Sequence, residues 1–213
     1  MRNLWTLLLC CALVPLVATA QNTSRAASPS SSPWRYPYTY QGDKTKAITA
    51  PIEIFSGYSY LRANQGPGQC GCFNMNGGST EVAFHTYRWF SAVADLTGER
   101  AGSVNGGPHG LSLVSFTAGP RFTYSIHHRY APFVQSLVGA VHGFDSYFPV
   151  TSGSTGAASS FALLAGGGLD IHMKSWLAIR PIQADYFLTQ LPNGSNNRQN
   201  NLRLTVGVVF RLW

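Results

Sequence analysis

Charge is what this sequence has least of. Charged residues fill 11% of its 213 positions, against about 25% in an ordinary soluble domain. With 45% apolar residues, the chain as a whole is not composed to stay disordered. Basic residues outnumber acidic ones by fifteen to eight, yet they are scattered. No basic run or basic helix offers the electrostatic footprint of a nucleic-acid binder, so no nucleic-acid partner is expected. Long apolar runs are missing as well. The longest, Leu4 to Val17, is short for a helix that spans a bilayer. Cysteine is scarce: Cys10 and Cys11 sit inside that apolar start, which leaves only Cys70 and Cys72 beyond it.

What is present begins with an export signal. Arg2, the apolar stretch from Leu4 to Val17 and Ala18-Thr19-Ala20 before Gln21 have the order of a cleavable secretory peptide. Residues 1–20 are therefore expected to be removed near Ala20. Residues 21–50 are rich in Ser, Pro, Thr and Tyr, centred on Ser28-Pro29-Ser30-Ser31-Ser32-Pro33. They read as a disordered leader, because they cannot bury enough apolar surface to offset chain entropy.

From residue 51 to 213 the pattern changes to a period of two. Phe161, Leu163, Ala165, Leu169 and Ile171 share one parity, and Gly166, Gly168, Asp170 and His172 the other. Ile182, Ala184, Tyr186 and Leu188 likewise alternate with Gln183, Asp185 and Thr189. Only Lys174 and Ser175 separate the two runs, which makes a long β-hairpin. Repeating this reading gives eight strands, at about 52–62, 80–85, 89–99, 111–126, 130–144, 161–173, 176–191 and 202–212. Their connections alternate between short turns and long Gly- or Asn-rich loops, the loops covering 63–78, 100–109, 145–158 and 192–200. That alternation suits an outer-membrane barrel with short periplasmic turns and longer outer loops. The expected fold is all-β, an eight-stranded antiparallel up-and-down transmembrane barrel.

An eight-stranded barrel can also be a soluble ligand carrier with its apolar face inside. Here Val114, Phe116, Ala118, Phe122 and Tyr124 oppose Ser115, Thr117, Gly119, Arg121 and Thr123, and Leu204, Val206, Val208 and Phe210 oppose Arg203, Thr205 and Arg211. The membrane reading turns the polar parity inward, where Glu53, Asp95, Asp170 and Asp185 can pair with Arg121, Arg180 and Arg203 and fill a narrow lumen. Arg180 and Gln183 both face inward only if an extra residue lies between them, and Pro181 offers the place for a bulge. Aromatic residues fall into two expected girdles. Trp89, Tyr124, Tyr130, Trp176 and Trp213 lie beside short turns or the C-terminus, and Tyr58, Tyr60 and Tyr186 lie nearer the long loops.

At Glu53-Ile54-Phe55-Ser56-Gly57-Tyr58-Ser59-Tyr60, Ala118-Gly119-Pro120-Arg121-Phe122, Ala131-Pro132-Phe133, Ile179-Arg180-Pro181-Ile182-Gln183-Ala184-Asp185-Tyr186 and Val206-Gly207-Val208-Val209-Phe210-Arg211-Leu212, the chain resembles the OmpA/OmpX-type eight-stranded outer-membrane barrels. Its stand-alone form matches the outer membrane beta-barrel domain proteins of diderm bacteria. The resemblance implies location in the outer membrane, contact with outer-membrane lipid and handling by the barrel-assembly machinery. The chain is expected to be a monomer with no cofactor, whose role is structural or rests on extracellular contacts through the loops. A small low-conductance pore is the alternative, followed by a lipid A-modifying enzyme and a soluble lipocalin-like carrier. The fold leaves these open, because one fold hosts many functions.

Two motifs invite chemistry. Cys70-Gly71-Cys72 is a candidate disulfide in an oxidising compartment, with free or intermolecular thiols as the other state. It is a poor metal site without further ligands at suitable spacing. Among six histidines, His142 lies near the outer end of its strand, but no Ser follows two positions on. No catalytic or metal residue is therefore assigned, and no enzyme is expected.

Overall fold

The computed structural model describes residues 52–64, 71–104, 109–126 and 129–212. They form β1 (Ile52–Asn64), β2 (Cys72–Tyr87), β3 (Phe90–Ala101), β4 (Leu111–Thr123), β5 (Tyr130–Val150), β6 (Gly153–His172), β7 (Leu177–Thr189) and β8 (Gln199–Leu212). Each strand pairs antiparallel with its sequence neighbour. β1 also pairs with β8, which closes the barrel and leaves no sheet edge along the wall. No helix occurs among the described residues. The expected signal peptide and leader, together with Cys70, His127, His128 and Trp213, lie outside those residues.

Two expected loops are instead strand. Cys72-Phe73-Asn74-Met75-Asn76-Gly77-Gly78, read as loop for its Gly and Asn content, is the outer half of β2, paired residue for residue with β1 from Asn64↔Cys72 to Tyr58↔Gly78. Residues 145–158 are mostly the ends of β5 and β6, which continue as a two-stranded ribbon to Val150↔Gly153. Cross-strand pairing overrides weak local β-propensity in both places. Smaller differences are the retreat of β4 to Thr123 and of β7 to Thr189, and the earlier start of β8 at Gln199.

The register of β7 against β8 shifts between Arg180 and Gln183. Pro181 and Ile182 both face outward there, while Arg180 and Gln183 are fully buried. The bulge sits at the proline because Pro has no N–H to give to a ladder.

Along the lower and middle wall, Leu96, Val114, Phe116, Phe122, Val134, Val138, Ile182 and Val206 project outward and are exposed. Inside, Ser, Thr, Gln, Asp, Glu and Arg are buried. Towards the long-loop end this arrangement inverts. Arg62, Asn64, Asn74, Asn76, Arg100 and Asn200 face outward, while Leu61, Ala63, Met75, Ala101, Val141 and Phe187 form a buried core inside the barrel that Leu113, Leu137 and Leu164 extend down to the level of outward Val114 and Val138. The barrel thus has a section with an apolar outside and an outer section with an apolar inside.

Candidate functional site

All seven expected lumen residues, Glu53, Asp95, Arg121, Asp170, Arg180, Asp185 and Arg203, point inward, and none is more than 7% exposed. Two more carboxylates join them. Glu81 and Glu99 are also buried, so six of the chain's eight acidic residues are inside. At this burial a charge is tolerated only when paired and hydrogen-bonded, and the groups connect in tiers.

Nearest the short turns, Arg211 Nε donates to Glu53 Oε1 at 2.6 Å. His85 Nε2 lies 2.8 Å from Glu53 Oε2, and His85 Nδ1 is 2.9 Å from Ser91 Oγ. Arg211 Nη2 also reaches His172 Nε2 at 3.1 Å. A guanidinium only donates, so that nitrogen accepts and the His172 ring proton belongs on Nδ1.

Glu81 is the hub of the middle tier. It accepts from Arg121 Nη2, from Arg180 Nη1 at 2.5 Å and from Gln183 Nε2 at 3.0 Å. Arg180 grips Asp170 with two bonds, Nε to Oδ1 at 2.7 Å and Nη2 to Oδ2 at 3.0 Å, the fork geometry that makes Arg–carboxylate pairs strong. Gln135 Oε1 accepts from Arg121 Nε at 2.9 Å. Aromatic faces complete the cage. The Arg180 guanidinium lies 4.4 Å from the Phe55 ring centre and 4.5 Å from that of Phe133, and Arg121 lies 4.3 Å from Phe133 on its own account. Glycines make room for these rings. A Cβ on Gly168 would stand 2.8 Å from Phe133 Cζ, and one on Gly207 would stand 2.9 Å from Phe55 Cε2.

Above this, Arg203 Nη1 donates to Asp95 Oδ1 at 2.9 Å and to Thr97 Oγ1 at 2.8 Å. Its Nη2 approaches Asp185 Oδ2 at 3.5 Å. Ser79 Oγ donates to Asp95 at 2.9 Å, and Ser59 Oγ to Glu99 at 2.6 Å. Gln183 Nε2 donates to Asp185 at 2.7 Å and so ties this tier to Glu81. Arg121, Arg180 and Asp185 therefore meet through Glu81 and the two glutamines rather than directly. No group of three or more metal-ligating side chains occurs among the described residues.

Sequence reasoning missed Glu81 and Glu99. The signal was there, since Glu81 shares its parity with Ala83 and His85 against outward Val82 and Phe84, and Glu99 shares that of Asp95 and Thr97. Gln135 was harder to see, because its inward neighbours Phe133 and Leu137 are as apolar as the outward Val134 and Val138.

On the outside, Trp89 stacks between Tyr87 and Phe122 with ring centres 6.0 and 5.9 Å away. Trp176 stacks on Phe210, with Lys174 Nζ 5.5 Å above its ring. Tyr124 and Tyr130 are exposed at the same rim. Tyr58 and Tyr186 are exposed at the level where wall polarity inverts and hydrogen-bond Asn76 and Asn200, with partly buried Tyr60 on the same strand. Cys72 opens β2 with a free, exposed thiol. His142 faces outward, and the Ser it lacks along its own strand comes from the next one: Ser159 Oγ lies 2.7 Å from His142 Nδ1.

A closed antiparallel barrel with an apolar wall, aromatic rims and a charged interior is an eight-stranded transmembrane barrel of the outer-membrane type. The chain has the fold of Ail, the attachment invasion locus protein of Yersinia pestis, with 20% identity and a TM-score of 0.55 over 78% of this chain and 100% of that one. Neisserial surface protein A matches with 10% identity and a TM-score of 0.58, over 78% and 98% of the two chains. OprG, an outer membrane protein of Pseudomonas aeruginosa, matches with 8% identity and a TM-score of 0.50, over 80% and 99%. No family model and no curated protein matches the sequence.

Proposed function

We propose that this chain is a sealed outer-membrane scaffold whose work is structural or is done by its outer loops at the cell surface. The observation that carries the reading is the connected network from Asp170 through Arg180, Glu81, Gln183 and Asp185 to Arg203 and Asp95, in which Arg180, Arg203, Asp95, Asp185 and Gln183 are all fully buried. Side chains packed this closely and held by fixed hydrogen bonds leave the lumen to the protein itself. The function then belongs to what projects beyond the membrane, above all the β5–β6 ribbon. Its partners would be outer-membrane lipid around the wall, the assembly machinery during insertion and extracellular surfaces at the loops, with the barrel itself a monomer. Liposomes loaded with potassium and carrying the purified chain should hold their gradient as well as protein-free liposomes do. Leakage that scales with protein content would favour the small-pore reading.

One observation favours a second reading, an enzyme acting on outer-leaflet lipid. The His142–Ser159 contact has the spacing of a base and its nucleophile. Mass spectra of lipid A from cells with and without the chain decide it. A changed acyl pattern, lost on Ser159→Ala, would establish the enzyme, and an unchanged spectrum would remove it.

A further inference from the structure

The outer section of the barrel holds a cavity of about 440 Å3, within the usual size range of small-molecule pockets. Its floor is the apolar core of the outer section: Ala63, Leu113, Phe148 and Leu191 belong to both. The β5–β6 ribbon forms one wall and the β7–β8 connection another. None of the described residues that line it carries a charge.

A local distortion builds this site. Up to Gly143 the odd-numbered residues of β5 face inward, but Phe148 is the next large side chain to be buried. The parity change comes from a register shift against β6 between Phe144 and Phe148, with Asp145 in the left-handed region at φ 62°. A non-glycine residue there is strained unless its surroundings hold it. Ser112 Oγ does so, donating to Asp145 Oδ2 at 2.9 Å. The bulge re-aims Phe148 into the barrel, as bulges beside sites do. Gly143 leaves the room, since a Cβ there would lie 2.7 Å from Phe148 Cζ. Tyr147 turns the other way and meets His109 edge-on at 4.5 Å between ring centres, joining the β3–β4 connection to the bulge. On the opposite wall the Gln199 side chain is fixed at both ends, accepting from Leu191 N at 3.0 Å and donating to Leu191 O at 2.9 Å. The walls are thus shaped in advance, which lowers the ordering cost of binding.

We infer that this cavity is a binding site for an uncharged, largely apolar small molecule entering from the extracellular side. An ion would be desolvated against walls that offer it no counter-charge, whereas an apolar body recovers the burial free energy of the floor. The site captures rather than passes its ligand, because the ion-paired tiers lie between it and the short-turn end. It does not depend on what the loops contact.

Methyl NMR of the full chain in lipid nanodiscs tests this with two probes of matched shape, cyclohexanol and cyclohexylammonium. Cyclohexanol should shift the methyls of Ala63, Leu111, Leu113 and Leu191 along a saturating curve, while those of lipid-facing Leu96, Val134 and Val138 drift linearly as the probe partitions into the bilayer. The ammonium should leave the first set at least tenfold less occupied. Ser146→Trp, which fills the cavity from the bulge, should weaken cyclohexanol binding at least tenfold with the lipid-facing signals unchanged. Linear drift at all sites, or equal saturation by both probes, overturns the inference. So do lipid acyl-chain cross-peaks to Leu113 before any probe is added, which would make the occupant a bilayer lipid.

Discussion

The two sections of this barrel are built from one sheet with opposite sidedness. In the section that faces lipid, outward residues such as Leu96 and Val138 are apolar, and the interior carries Glu81, Arg121 and Arg180. In the outer section, along the same strands, Arg62 and Asn74 face outward with Arg62 Nη1 donating to Asn74 Oδ1 at 2.6 Å, while Leu61 and Met75 fill the inside. The difference follows from the solvent, since hydrocarbon demands an apolar wall and water a polar one. The interior takes the remaining side chains in each case. The exchange falls at the level of Tyr58 and Tyr186, amphipathic side chains suited to a membrane–water boundary. The outer section is in effect a soluble barrel standing on a membrane barrel.

The comparison can be broken at four points. The largest effect is expected inside the membrane section. Arg180→Ala leaves Glu81 short of a partner and Asp170 without its fork, and should cost about 3–5 kcal/mol, as loss of one member of a buried ion pair does. Urea unfolding in lipid vesicles, followed by tryptophan fluorescence, measures it. Inside the outer section, Met75→Ala opens a cavity in an apolar core and should cost about 2–5 kcal/mol in the same assay. Because no charge is stranded there, Met75→Leu should restore most of the loss, a rescue that Arg180→Lys should not match at a forked site. On the outside, Leu96→Arg should cost about 2–4 kcal/mol if that wall faces hydrocarbon. The smallest change is expected from Asn74→Asp on the outer section's outside, which keeps an acceptor for Arg62 and should stay within about 0.5 kcal/mol, as for an ordinary wetted surface. Equal responses at residues 96 and 74 would erase the boundary between the sections.

Most of the membrane section was legible in the sequence, because lipid on one side and a polar lumen on the other impose a strict alternation. β4 and β8 display it almost without exception, and the break at Arg180–Gln183 pointed to the Pro181 bulge. The outer section was not legible, for a physical reason. Above the boundary the outward parity becomes polar, so Phe73 and Met75 alternating with Asn74 and Asn76 looked like loop composition rather than the upper half of β2. In β5 both parities are apolar, which hid Gln135, and the bulge at Asp145 switched the parity where the cavity forms. Glu81 is hard to single out because the sequence pattern marks only residues 80–85 of β2 as strand, too short a window to make it the hub it is.

The central claim is that the Glu81 network seals the membrane section, and single-channel recording in planar bilayers tests it most directly. Wild-type protein should give no reproducible conductance steps, while the Arg121→Ala, Arg180→Ala double variant, if it inserts and remains folded, should give steps of uniform size by opening the middle tier. Reproducible steps from the wild type, unchanged in the double variant, would contradict it.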